Sequence, residues 1–237
     1  KKNLAQLMIK KYIYLFLPPI FLNFLKFIKK KLKKKNYLKT PENQELDLYY
    51  NPEMAKVLDT WGERNTWIEI QHFFHHKKNP KILDIACGTG KVIKILEKNL
   101  NIQNIHGCDI SDFLIEKAKS KGIGFERLKV CDATNLPYKN DEFDYNYSIG
   151  SLEHFTKDGI IKFLEESKRV TKITGYHLIP VSRSGMDEGW ITNYQSYFNN
   201  SVKWWTDICK KEFKDILILD SSWEDEISVG KWLVLRK

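Results

Sequence analysis

The chain has 237 residues, 42% of them hydrophobic, which allows one sizeable core with an appendage and leaves little room for a second full domain. Its formal net charge of +9 is concentrated: residues 1–39 hold 12 lysines and no acid, while the remainder sets 27 Lys and Arg against all 30 Asp and Glu, a net of −3. A body without a basic excess has no global field for a polyanion, which argues against nucleic acid as a partner. The four cysteines, Cys87, Cys108, Cys131 and Cys209, form no C-x-x-C pair and have no His spacing beside them that suggests zinc. They predict a reducing compartment and no metal centre.

The chain begins at Lys1, so a few residues are expected to precede it. Residues 12–28 read YIYLFLPPIFLNFLKFI, with lysines on both sides. No small-residue cleavage site follows, which disfavours a secretory signal. The run is short for a spanning helix and contains Pro18, Pro19, Asn23 and Lys26. Apolar residues from Ile20 onward, followed by the lysine run, fit a helix lying on an anionic membrane surface through residues 12–35. A core-packing helix with a solvated lysine tail is the alternative.

Thr40 to Asn51 reads as a linker, and residues 52–76 as two helical pieces broken near Trp61-Gly62. Strands and helices then alternate. Strands are predicted at Lys81–Ala86, Ile105–Asp109, Phe125–Cys131, Phe143–Ile149 and Tyr176–Ser182. Helices are predicted at Lys91–Asn99, Phe113–Lys121 and Lys157–Val170. A helix near Val202–Phe213 and a hairpin of Ile216–Leu219 with Ser228–Leu235 close the chain. This order predicts a Rossmann-like, doubly wound α/β fold: a mostly parallel seven-stranded sheet with an antiparallel last strand, plus an N-terminal helical arm. The expected divisions are a basic arm at 1–39, a linker and helical cap at 40–79, and a cofactor-binding domain at 80–237.

Four motifs carry the chemistry. The first is Ile82-Leu83-Asp84-Ile85-Ala86-Cys87-Gly88-Thr89-Gly90, a strand entering a glycine loop. Gly88 and Gly90 there let the backbone approach a ligand closely. The third glycine of a dinucleotide fingerprint is missing, since position 93 is Ile93, and no G-K-[ST] follows for a P-loop. The second is Gly107-Cys108-Asp109-Ile110-Ser111, whose Asp109 ends the second strand, where an acid can accept from both ribose hydroxyls. The third is Cys131-Asp132-Ala133. The fourth runs from Phe143 through Ser148-Ile149-Gly150-Ser151 to Leu152-Glu153-His154 and ends over the ligand crevice of an open sheet.

Together these motifs resemble the class I S-adenosylmethionine-dependent methyltransferases, most closely the type-11 group, over residues 80–183 and more loosely in the tail. The resemblance implies S-adenosylmethionine as cofactor. It implies that Asp84, Ala86 and Gly88 line the methionine end, with the Ser148 backbone nearby. Asp109 would hold the ribose, Ile110 would pack on the adenine, and Asp132 with the Ala133 N–H would meet the adenine amine. His154 is the candidate general base, because imidazole titrates near neutral pH and Glu153-His154 matches a pair found in quinone-phenol methylating members. Trp190, Tyr197, Trp204 and other aromatics of residues 184–205 are expected to cover an acceptor pocket, with Trp61 and Trp67 on its other side.

The preferred expectation is methyl transfer to a small-molecule, lipid-linked or glycan acceptor, in the cytoplasm and on the inner face of a membrane. A nucleic-acid or protein methyltransferase, and a non-catalytic cofactor-binding scaffold, are the alternatives. The fourth strand lacks a Pro-Pro-aromatic ending typical of base-amine methylation, a further argument against nucleic acid.

Overall fold

The computed structural model describes residues 44–237 apart from 63–64 and 193–194. The arm and its membrane-surface reading lie outside the described residues. Among the described residues, no helix is long and apolar enough to cross a membrane.

The strands are β1 (Ile82–Ile85), β2 (Ile105–Asp109), β3 (Leu128–Val130), β4 (Phe143–Ile149), β5 (Thr171–Ser182), β6 (Trp190–Ile191), β7 (Tyr197–Phe198), β8 (Asp215–Glu224) and β9 (Ser228–Arg236). Seven of them form one sheet in the order β3-β2-β1-β4-β5-β9-β8. Within this sheet β9 runs against its neighbours, pairing antiparallel with both β5 and β8. The other pairings, β3-β2, β2-β1, β1-β4 and β4-β5, are parallel. Strand order reverses between β1 and β4, and that switch point opens a crevice at the carboxyl ends of the strands.

Helices α1 (Pro52–Leu58), α2 (Thr66–Phe74), α3 (Lys91–Leu100), α4 (Asp112–Ser120), α5 (Lys157–Val170) and α6 (Val202–Cys209) flank the sheet. Their starts follow local chemistry. The side chains of Ser111, Thr156 and Ser201 accept from the backbone N–H groups of Leu114, Gly159 and Trp204, so α4, α5 and α6 each begin on a capping hydroxyl. All four residues of β1 are buried, as a strand covered on both faces requires. Ile70 and Phe74 of α2 belong to the core on one face, with Ile82, Ile93 and Tyr147. Leu83, Phe163, Trp205 and Leu235 belong to the core on the other.

The structure departs from the predicted elements in several places. Residues 125–127 form a 3-10 turn instead of strand, with Phe125 78% exposed. Arg127 decides this: its guanidinium donates to Glu97 and to the carbonyls of Gln103 and Ile105, contacts distant in sequence. β5 begins at Thr171, directly after α5, because Thr171 pairs with Phe143. The 184–205 insertion carries a two-stranded hairpin of β6 with β7. Its Trp190, Phe198 and Trp205 go into the core.

Candidate functional site

Two adjoining cavities occupy the crevice. The first is lined by Ala86, Gly88, Asp109, Ile110, Asp132 and Ala133 from the ends of β1, β2 and β3, and by Tyr49 and Gln195 across its mouth. Ala86 and Gly88 both have positive φ, 60° and 53°, so the loop after β1 turns bare backbone toward the cavity. A Cβ on Gly88 would stand 3.4 Å from Leu58 and fill the space between them.

Asp109 is 6% exposed. Its Oδ2 accepts from the Gly88 N–H at 2.9 Å and its Oδ1 from the Ser111 N–H at 2.9 Å. Burial pushes this carboxyl up to about 6 against the pull of backbone N–H groups from Ser111, Gly88 and Ile110, so it stays ionised at neutral pH. Asp132 is exposed, with Oδ1 turned to the Thr134 N–H and hydroxyl. A buried acid, an exposed acid and open backbone around an apolar wall suit a nucleoside carrying an amino-acid chain. The residues present therefore fit S-adenosylmethionine.

Three expected cofactor residues stand back from this cavity. Asp84 is buried beneath it and accepts from the Tyr147 hydroxyl at 2.9 Å, and burial holds its carboxyl well above the usual range. Ser148 is buried with its hydroxyl 2.9 Å from His177 Nδ1. Gly90, at φ 70°, packs on α4: a Cβ there would meet Ile123 Cδ1 at 2.4 Å and Ala118 Cβ at 3.0 Å. Gly90 thus also serves close packing of the loop after β1 against Ile123 and Ala118.

The second cavity is walled by Trp61, Tyr197, Trp223, Glu153 and His154, and shares Leu58, Ile149, Gly150 and Gln195 with the first. Trp61 is 38% exposed and lies 5.5 Å from Trp223, ring centre to ring centre. Trp67, expected here, instead lies under the Lys91 ammonium on another face.

His154 Nδ1 lies 2.7 Å from the Ser196 carbonyl, an acceptor only, so Nδ1 carries the proton and Nε2 the lone pair. Glu153 Oε1 is 3.7 Å from that Nε2, and Glu153 Oε2 is buried without a partner. The distance would suit an ion pair, but burial drives the two groups apart in the neutral sense. It lifts the Glu153 carboxyl to about 8 and holds the His154 imidazole down to about 4. At pH 7 both are uncharged.

A carboxyl raised this far makes the fold pH-dependent. Between about 4.5 and 8 the unfolded Glu153 loses its proton while the folded one keeps it, so rising pH favours unfolding. His154 acts at the acid end, losing stability as pH falls from about 6.5 to 4. Glu153→Gln is therefore expected to flatten the fall in melting temperature between pH 5.5 and 8 in the cofactor-free protein. Melting curves at four pH values check this, and an unchanged slope would exclude Glu153 as its source.

Sequence reasoning missed several residues of the site. Tyr49 and Gln195 bond to each other at 3.0 Å across 146 positions, and Glu45 accepts from the N–H and hydroxyl of Ser196, both at 2.9 Å. They lie in a linker and an insertion without motif, and no signal marked them. Glu153 had one, its place beside His154.

A protein-family model described as Methyltransferase domain matches residues 82–175. Among curated relatives, Probable tRNA methyltransferase 9B of Bos taurus is 35% identical over 121 residues, 50% of this chain and 25% of that protein. The Arabidopsis thaliana tRNA (carboxymethyluridine(34)-5-O)-methyltransferase is 40% identical over 101 residues, 42% of this chain and 23% of that protein. The match thus spans about a quarter of the length of these relatives. A crystal structure of a SAM-dependent methyltransferase from Methanosarcina mazei has a TM-score of 0.58 at 16% identity, covering 71% of this chain and 96% of that one, which is likeness of fold.

The tRNA relatives overturn two expectations: the small-molecule, lipid-linked or glycan acceptor, and the exclusion of nucleic acid. The error was physical. A net charge of −3 is an average over the body, whereas phosphate binding depends on where cations cluster.

Proposed function

We propose, from the premise that this chain belongs to the class I S-adenosylmethionine-dependent methyltransferases and takes S-adenosylmethionine as cofactor, that it methylates RNA of the tRNA kind. One observation carries the reading. The second cavity adjoins the cofactor cavity and has indole walls, Trp61 and Trp223, on which an unstacked base can lie. The tRNA methyltransferases among its relatives support the choice of acceptor.

When bound, S-adenosylmethionine supplies an electrophilic methyl group. Asp109, Asp132 and the backbone of Ala86 and Gly88 would hold it. Trp61 and Trp223 would orient the acceptor base, so the main catalytic effect is alignment. His154 lines the acceptor cavity, but an imidazole held down to about 4 is a weak base, so it would chiefly position the acceptor. Glu153, uncharged and half-unpartnered, stands beside it as a donor or acceptor to the base edge.

The test is methyl transfer by the full chain from methyl-labelled cofactor into mixed RNA, lipid and small-molecule extracts. Label is expected in tRNA nucleosides after digestion. Label confined to the other fractions would overturn the reading. In the same assay Trp61→Ala should raise KM for RNA by about tenfold, the loss of one stacking contact of about 1–3 kcal/mol. KM within twofold of the parent would remove Trp61 from the acceptor site.

A further inference from the structure

We propose that the groove between α2 and α3 is the track for the phosphate backbone of the RNA acceptor, an inference that rests on the RNA reading above. The groove is lined by Lys91, Lys94, Lys98 and Lys121, with Trp67 and Gln71 on the α2 side. Lys91, Lys94 and Lys98 lie at i, i+3 and i+7 of α3, hence on one face of the helix. The stripe is about 10 Å long at 1.5 Å per residue, so its ends can meet different phosphates of one strand.

Among the described residues, the acids near the groove are already committed. Glu97 is buried and accepts from both Lys94, at 2.6 Å, and Arg127, at 2.6 Å. Asp59 is held by Lys121 and by the Thr89 hydroxyl. Glu69 of α2 points the other way, to Ser221, Ser222 and Trp232. Among the described residues neither Lys91 nor Lys98 has a carboxylate within ion-pair distance. Lys91 is instead fixed 5.6 Å over the Trp67 ring, which pre-orders its ammonium. The groove is therefore a local positive field in a body whose average charge is negative.

Its position ties it to the site. Lys121 Nζ also donates to the Thr89 carbonyl, within the loop after β1. Asp59, its partner, follows Leu58, one of the residues that line both cavities. A strand whose base enters the acceptor cavity can thus continue past Leu58 and Lys121 onto the α3 stripe.

The experiment compares the full chain with Lys91→Gln/Lys98→Gln and with the charge-keeping Lys91→Arg/Lys98→Arg. The probe is a fluorescein-labelled tRNA transcript, titrated at 50–300 mM KCl. Lysines elsewhere are common to all three proteins and cancel. The Gln pair is expected to weaken RNA binding about tenfold at 150 mM and to lower the salt slope by about 2, one per lost phosphate contact. The Arg pair should bind as the parent does, and all three should bind S-adenosylhomocysteine equally.

If the parent binds RNA and the Gln pair matches it, the groove is overturned while the RNA reading stands. If the Arg pair is as weak as the Gln pair, charge is not the cause and the groove is again overturned. If the Gln pair loses only binding to phosphatidylserine vesicles, the groove is a lipid site and the proposal falls. If the parent does not bind RNA at all, both readings fall together.

Discussion

Asp109→Ala is expected to weaken S-adenosylhomocysteine binding about 100-fold at pH 7.5, measured by calorimetry. The carboxylate accepts one backbone N–H on each oxygen, from Gly88 and from Ser111, and thereby fixes the loop after β1 against the start of α4. Asp109 lines the cavity, where the resemblance has it accept from two ribose hydroxyls, and hydrogen bonds to a charged group contribute about 1.5 kcal/mol each or more. Two of them amount to about 3 kcal/mol, or two decades in Kd. Burial has raised this carboxyl to about 6, so affinity should also fall as pH drops below 6, where protonation removes an acceptor. A variant within threefold of the parent would show that Asp109 only braces the two loops.

Gly90→Ala is expected to act on the fold more than on the ligand. At φ 70° an L side chain costs about 1–2 kcal/mol. The new Cβ would also press on Ile123 and Ala118 at 2.4 and 3.0 Å, overpacking that costs about 1–3 kcal/mol. A total of about 3 kcal/mol lowers the melting temperature by about 6–12 °C in a domain of this size. Cofactor affinity measured well below that temperature should fall far less than for Asp109→Ala. The opposite pattern, a normal melting temperature with affinity lost, would return Gly90 to the ligand site.

Much of the lining of the first cavity is legible in the sequence. Ala86, Gly88, Asp109, Ile110, Asp132 and Ala133 all come from strand ends, and strand ends follow from hydrophobic runs stopped by glycine and acid. Asp84 and Ser148 stand outside that lining by their side chains, although the expectation for Ser148 concerned its backbone. Asp84 turns to Tyr147 and Ser148 to His177, both beneath the floor of the cavity.

The acceptor side is less legible, since its walls come from segments far apart in the chain. Trp61 meets Trp223, and Tyr49 meets Gln195, only because β8 and the 184–205 insertion fold back over α1 and its approach. Aromatic content alone does not say which rings become core. Trp190, Phe198 and Trp205 are claimed by the core, leaving Trp61, Tyr197 and Trp223 for the cavity.

By itself, the sequence determined the sheet, because hydrophobic period acts over a few residues, and its motifs carried the resemblance that implies the cofactor. Tertiary structure decided the charge that matters. Lys91, Lys94 and Lys98 share a face by helical period, but Lys121 reaches the groove only through α4, and Glu97 is withdrawn from it by burial against Arg127. Electrostatic fields depend on distance in space, so the sum of −3 over residues 40–237 has the wrong sign for the surface on which an RNA strand would lie.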